Sequence, residues 1–153
     1  MSESLHWTTV AFEDLTVREL YDIGQLRQAV FVVEQTCPYL DFDGKDVYCW
    51  HLMGKTEDNL LVACARLVPP NVSSPDIVSI GHVVVVPTWR GQGLGIALMQ
   101  EALAAVQQRW KDRPIAISAQ DYLLRFYQSL GFEPSDDHYL EDGIPHTKMW
   151  YRP

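Results

Sequence analysis

The sequence predicts one α/β domain in which a mixed sheet carries helices on its faces. Strand-like and helix-like segments alternate along the chain, and no linker, repeat or low-complexity tract interrupts them. The run IVSIGHVVVVP has apolar residues on both faces, as a central strand does, and an amphipathic helical run follows it. The 153 residues, of which 47% are hydrophobic, suffice for one core, so we expect a single domain over residues 1–153.

The first half of the chain predicts a strand, a helix, a loop and a strand hairpin. The strand lies around residues 7–12, and the helix begins at Thr16 and Glu19, which have the spacing of a capping box. The segment FVVEQTCPYLDFDGKD ends in turn signals and is interpreted as an ordered loop. The runs VYCWHLMGK and LLVACARLV, joined by TEDN, predict two antiparallel strands.

The second half begins with the central strand IVSIGHVVVVP and continues through two helices. IALMQEALAAVQQRW has apolar residues at helical spacing, and PIAISA predicts a short buried strand. DYLLRFYQSLGF predicts another helix, which Gly131 ends. HYLEDGIPHTKMWYR predicts two strands around a DG turn.

Composition narrows the classes of partner and the cellular compartment. The net charge of -8, from 20 acidic against 12 basic residues, disfavours nucleic acid as a partner. The N-terminus lacks the pattern of a signal peptide and no apolar run approaches the roughly 20 residues of a membrane span, so no membrane partner is expected. Three cysteines without CxxC spacing predict reduced thiols and a cytoplasmic protein. Neither they nor the nearby His51 follow a zinc pattern, so no metal is expected.

The stretch WRGQGLG, residues 89–95, places three glycines between the central strand and a helix. Backbone N–H groups at the start of a helix lack intrahelical partners and lie at the positive end of the helix dipole, so an anion is the expected ligand. The dinucleotide motif fails because Ile96 stands where its last glycine belongs, and the P-loop ending G-K-[ST] is missing. The remaining candidate ligand is a diphosphate held mainly by backbone N–H groups, such as the diphosphate of coenzyme A. The alternative is that the glycines only form a tight strand-to-helix connection with a helix cap.

Two motifs carry a family resemblance. Residues 90–95, RGQGLG, match the R/Q-x-x-G-x-G/A signature of the GNAT N-acetyltransferases, and FYQSLGF, residues 126–132, resembles a second element of that family. The pieces VFVVEQTCPY and EDGIPH also resemble its bacterial ElaA-like branch. The resemblance covers nearly the whole chain. It implies a GNAT-like fold, a mixed and mostly antiparallel central sheet with helices on both faces.

The resemblance also implies a cosubstrate, acetyl-CoA, and the residues that bind it. Main-chain groups of Val83, Val84 and Val85 would pair with the pantetheine arm as an extra strand would. The diphosphate would lie against the segment Arg90, Gly91, Gln92, Gly93, Leu94, Gly95 and Ile96. Gln120 stands where many relatives have an asparagine that contacts the cofactor.

Acetyl transfer to an amine needs a proton for the departing thiolate and a neutral nucleophile. The resemblance places the hydroxyl of Tyr127 near the sulfur, and a phenol with a pKa near 10 is protonated at neutral pH, so Tyr127 is the candidate general acid. An amine with a pKa of about 10.4 loses its proton at pH 7 at a cost of roughly 4 kcal/mol, so a base is expected. Glu34, His82 and His146 are the candidate base or acceptor contacts, and ordinary packing or surface roles remain open for each.

The leading interpretation is an N-acetyltransferase that acts by direct attack in a ternary complex, because no serine or cysteine has an activated-nucleophile pattern. The alternative is a regulatory module that binds CoA or acyl-CoA without turnover. The expected acceptor is a small-molecule or peptide amine, drawn by the carboxylates and aromatic residues of the loop from Glu34 to Asp46. A homodimer is a further open alternative.

Overall fold

A computed structural model describes residues 4–152 of the chain. Residues 1–3, on which part of the signal-peptide prediction rests, lie outside the described residues. Seven strands and three α-helices follow in chain order: β1 His6–Ala11, α1 Val17–Arg27, β2 Trp50–Lys55, β3 Leu61–Val68, β4 Val78–Val85, α2 Leu94–Arg109, β5 Ile115–Gln120, α3 Leu124–Ser129, β6 Glu133–Glu141 and β7 Ile144–Tyr151.

The strands form one sheet in the order β1-β2-β3-β4-β5-β7-β6. All neighbouring strands are antiparallel except β4 and β5, which are parallel. These two strands pair only at Val78 with Ile115 and at Ser79 with Ala116. Past these pairs the facing edges of β4 and β5 separate, and a cleft of about 1200 Å³ opens between them. The mixed, mostly antiparallel sheet is therefore confirmed, and it is incomplete at its centre.

Helices cover both faces of the sheet, as predicted. On one face, Ile23 and Leu26 of α1 pack against Met53 and Cys64. On the other face, α2 and α3 pack against residues of β2, β3, β5 and β7 in a cluster that includes Leu98, Met99, Ala102, Tyr127, Leu52, Ala65, Ile115 and Met149. Strand β3 is buried at every position because it is covered from both sides.

Helix α1 begins as the sequence predicts, and the helical conformation continues beyond it, further than expected. The capping box is present, since the Glu19 backbone N–H donates to Thr16 Oγ1 at 3.0 Å and the Thr16 N–H donates to Glu19 Oε1 at 2.9 Å. The sequence predicts a loop from Phe31, but the helix continues as a π-helical segment, Gln28–Glu34. No glycine or proline follows α1 before Pro38, so nothing in the backbone ends the helix earlier.

Candidate active site

The cleft between β4 and β5 brings together nearly all the residues that the sequence singled out. Its walls are β4, β5 and the β6–β7 hairpin, and the segment after α1 lies at its rim. Its lining includes Glu34, His82, Val83, Val84, Val85, Arg90, Gly91, Gly93, Leu94, Gly95, Ile96, Gln120, Tyr127 and His146. Gln92 is the exception, because it is exposed and does not line the cleft.

Glycine is needed in the WRGQGLG turn for two different structural reasons. Gly91 and Gly93 have positive φ angles of +80° and +76°, and a Cβ added at either would meet open space. Gly93 is the N-cap of α2 and offers no side-chain acceptor, so the first N–H groups of the helix remain available to an anion. Gly95 instead lets α2 approach α3, because its Cβ would lie 3.4 Å from the Phe126 ring.

Arg90 and Glu34 form a bidentate ion pair beside this turn. Arg90 Nη1 and Nη2 donate to the two Glu34 carboxylate oxygens at 2.8 and 3.0 Å, and Arg90 Nε donates to the Val85 carbonyl at 3.3 Å. The hydrogen bonds from Arg90 lower the pKa of Glu34. A carboxylate with a lowered pKa is a weaker base, so the pair favours an electrostatic role for Glu34 over proton abstraction.

We expect the Glu34→Gln variant to bind CoA more tightly, by roughly 2- to 5-fold, because an exposed ion pair of about 0.5–1 kcal/mol no longer competes for Arg90. Calorimetry at low and high salt measures this change, and salt should diminish it. Glu13→Gln, at an exposed carboxylate outside the cleft, is the control. A kcat reduced more than about 10-fold in Glu34→Gln would instead identify Glu34 as a base.

Tyr127 lies in the wall of the cleft with 8% of its surface exposed. Its ring packs edge-on against Phe126 and Phe132, at centroid distances of 5.1 and 6.0 Å. Burial raises the pKa of Tyr127 to about 12. The phenol is therefore protonated at neutral pH and held by packing, as a proton donor in the cleft requires.

The two candidate histidines lie on different strands of the cleft, and each has a carboxylate neighbour. His82 Nε2 on β4 is 3.0 Å from Asp41 Oδ1. His146 on β7 has Nδ1 at 2.7 Å from the Ile144 carbonyl oxygen and Nε2 at 3.4 Å from Glu141 Oε2. A neutral imidazole has one proton-accepting nitrogen, so these contacts decide which nitrogen is available in each ring.

The loop carboxylates that the sequence predicts to attract the amine are engaged inside the protein. Arg27, which is 1% exposed, donates to Asp41 at 2.8 Å and to Asp46 at 2.6 Å. Arg66 donates to both oxygens of Asp43 at 2.8 and 3.0 Å. Sequence analysis missed the two arginines. The signal for Arg27 was its position four residues after Ile23, within the apolar stripe of α1.

The β6–β7 hairpin supplies cleft residues that sequence analysis also missed. Every second residue of one part of β6 lines the cleft, namely Asp137, Tyr139 and Glu141. Ser118 and Lys148 line the cleft beside them. The two-residue spacing of the β6 residues places them on one strand face, which was the available sequence signal.

Two contacts connect the segment after α1 to the far wall of the cleft. Gln120 Nε2 donates to Gln35 Oε1 at 3.3 Å, and the Cys37 thiol contacts the Asp142 carbonyl oxygen at 3.5 Å. This segment therefore bridges from α1 to β5 and the hairpin.

Within residues 4–152, no group of three or more His, Cys, Asp or Glu side chains is placed to hold a metal ion. None of the helices in the same range is long and apolar enough to cross a membrane.

Comparison with known proteins identifies the family. Residues 50–152 match the family model described as "Acetyltransferase (GNAT) domain". The chain belongs to the GNAT family. The cleft between parallel β4 and β5, with the glycine turn at the start of α2, is thus part of a GNAT fold.

Relatives of this GNAT protein match it over nearly its whole length. Protein ElaA of Escherichia coli strain K12 is 42% identical over 147 residues, which are 95% of each chain. The crystal structure of Escherichia coli ElaA has a TM-score of 0.90 at 40% identity, covering 97% of this chain and 100% of that one. A crystal structure of an acyl-CoA N-acyltransferase from Pseudomonas aeruginosa has a TM-score of 0.91 at 46% identity, covering 97% and 99%.

Proposed function

We propose that this GNAT protein is an acetyl-CoA-dependent N-acetyltransferase that transfers acetyl to a primary amine by direct attack in a ternary complex. The observation that carries the proposal is a single cleft that joins the glycine turn, the unpaired edge of β4 and the buried phenol of Tyr127. The three free, buried cysteines support the cytoplasmic location expected from the sequence.

Acetyl-CoA would bind along the cleft with its diphosphate at residues 90–96. The unpaired N–H groups at the start of α2 and the Arg90 guanidinium favour an anion there. On its other side, β4 pairs with β3 through Val84 and Val85, but its edge towards β5 is unpaired beyond Ser79. An amide-containing pantetheine arm is suited to that edge, because it offers donors and acceptors as a strand does.

The reaction needs one group to accept a proton and one to supply a proton. The neutral amine attacks the thioester carbonyl, a C–N bond forms, and the C–S bond breaks as the tetrahedral intermediate collapses. His82 takes the proton that the amine nitrogen loses, and Tyr127 gives its proton to the departing thiolate. No cysteine acts as the nucleophile in this proposal. Burial raises the pKa of Cys64 to about 12 and that of Cys49 to about 11, so both thiols are protonated and unreactive.

The charge of the cleft wall supports a cationic acceptor. The carboxylates of Asp41, Asp43 and Asp46 are engaged by arginines. On the hairpin, the acidic residues that line the cleft outnumber the one lysine, Lys148; they are Asp137, Glu141 and Asp142. Negative side chains attract a protonated amine, and the nearby Tyr139 ring adds an aromatic face. We therefore infer that the acceptor enters along the β6–β7 hairpin.

An acceptor screen tests the proposed function. Purified protein is mixed with acetyl-CoA and a panel of primary amines, amino sugars, peptides and matched alcohols, and free thiol is measured. We expect thiol release with at least one amine and acetylation of its nitrogen by mass spectrometry. Release with alcohols alone would overturn the amine assignment. CoA binding without turnover of any acceptor would favour the regulatory module instead.

A further inference from the structure

We propose that Asp41 is a positioning residue that holds His82 with its proton on Nε2, so that Nδ1 accepts the proton of the amine. This inference rests on the proposed function, because it assigns the nitrogen that serves as the base in that reaction. It concerns a residue of the loop after α1 that contacts His82 from outside β4.

The backbone places the His82 ring in an unusual position on β4. Across β3, Cys64 pairs with Val84 and Arg66 pairs with Gly81, so β4 has one more residue than β3 in this interval. His82 occupies this bulge with φ of +49°. A non-glycine residue in this region is strained by roughly 1 kcal/mol or more, and such strain clusters at functional sites. The strained bulge therefore indicates that His82 has a functional role that depends on the orientation of its ring.

The ring is held from two sides. Its Nε2 lies 3.0 Å from Asp41 Oδ1, and the Phe31 ring packs edge-on against it at a centroid distance of 5.5 Å. The His82 side chain is only 16% exposed and lines the cleft. Packing and an acceptor at Nε2 together restrict the ring, as a preorganised base requires.

Asp41 acts only as an acceptor towards His82. The Tyr39 hydroxyl donates to Asp41 Oδ1 at 2.8 Å, and Arg27 Nε donates to Oδ2 at 2.8 Å. Burial alone would raise the pKa of Asp41, but the contact with His82 and the charge of Arg27 lower it overall. An ionised carboxylate has no proton of its own, so the ring nitrogen that lies 3.0 Å from Asp41 Oδ1, Nε2, is the one that carries the His82 proton. The remaining lone pair of a neutral His82 is then on Nδ1.

Asp41 belongs to a buried network of ion pairs that fixes its position beside His82. Asp41, Asp43 and Asp46 face Arg27 from α1 and Arg66 from β3 in one connected network. Of the three carboxylates, Asp41 is the one that lies within ion-pair distance of a His82 nitrogen, at 3.0 Å. This arrangement applies the logic of the Asp–His pair of hydrolytic triads, where a buried aspartate fixes the tautomer and stabilises the charged ring.

His146 lacks a comparable arrangement. Its Nδ1 is 2.7 Å from a carbonyl oxygen, which has no proton to donate, so Nδ1 carries the proton. The other nitrogen, Nε2, faces the half-exposed Glu141 carboxylate at 3.4 Å. A lone pair directed at a carboxylate is poorly placed to accept a proton from an amine. The geometry therefore favours His82 as the base.

Two measurements test the role of Asp41. Nitrogen-15 NMR of the imidazole rings of the resting wild-type protein should show His82 with its proton on Nε2, and Asp41→Asn should shift it towards the Nδ1-protonated form. With the best amine of the screen, Asp41→Asn should lower kcat roughly 10- to 100-fold with little change in KM for acetyl-CoA. Asp43→Asn, in the same loop and also paired with an arginine, is the matched control and should keep kcat within about 3-fold.

Either measurement can overturn the inference. A wild-type His82 that is protonated on Nδ1 contradicts the inference without any variant. The inference can therefore be refuted even if Asp41→Asn folds poorly. Equal losses of kcat in Asp41→Asn and Asp43→Asn would show a merely structural network. A wild-type protein inactive towards every amine defeats the proposed function instead, while NMR still decides the tautomer.

Discussion

Replacing Tyr127 with phenylalanine is expected to lower kcat by roughly 10²-fold or more and to leave acetyl-CoA affinity nearly unchanged. The ring contacts with Phe126 and Phe132 remain in the variant, because phenylalanine has the same ring. Only the proton donor is lost, and the thiolate must then leave unprotonated or take its proton from water. Steady-state thiol release and calorimetry with CoA measure the two effects separately.

Tyr151→Phe is the matched control for Tyr127→Phe. Tyr151 packs against Phe132 in the same aromatic group but does not line the cleft. Its variant should turn over at the wild-type rate. Wild-type kcat in Tyr127→Phe would exclude the general-acid role, and equal losses in both variants would point to packing rather than proton transfer.

Replacing Gly93 with valine is expected to weaken CoA binding by roughly 10²-fold, because a branched side chain would hold the diphosphate away from the first N–H groups of α2. Gly93 has φ of +76° and open space where its Cβ would lie, so the side chain would occupy the space beside the turn. Calorimetry with CoA measures the change, and circular dichroism verifies that the variant is folded.

Gly143→Val controls for the backbone strain of Gly93→Val. Gly143 lies in the β6–β7 turn with φ of +79°, and a Cβ added there would likewise have no atom within 4 Å. A valine there carries a similar backbone penalty but lies outside the glycine turn. Unchanged CoA affinity in folded Gly93→Val, or equal losses in both variants, would remove the diphosphate assignment.

Local patterns in the sequence were enough to predict most of the elements and the glycine turn, but not the π-helical segment Gln28–Glu34. The capping box of α1, the stop at Gly131 and the two-strand C-terminal hairpin each depend on a few neighbouring residues, and all are present. The turn at Gly91 and Gly93 is local in the same sense, because glycine adopts positive φ without the steric cost that a Cβ brings.

The partners of the site residues could not be predicted, because they come from distant parts of the chain. Glu34 and Arg90 are 56 residues apart, and Cys37 and Asp142 are 105 apart. The bulge at His82 depends on how β3 and β4 are aligned, and the residue with positive φ there is not a glycine. Periodicity indicates which face of an element is buried, but not which charged groups meet there.

Backbone pairing between the two halves of the sheet is confined to the two residue pairs that join β4 to β5. One half contains β1 to β4 and the other β5 to β7, and the cluster beneath α2 spans both through Leu98, Ala63 and Met149. A strand-like ligand that fills the gap beyond Ser79 would add backbone hydrogen bonds between the two halves and raise the melting temperature by mass action.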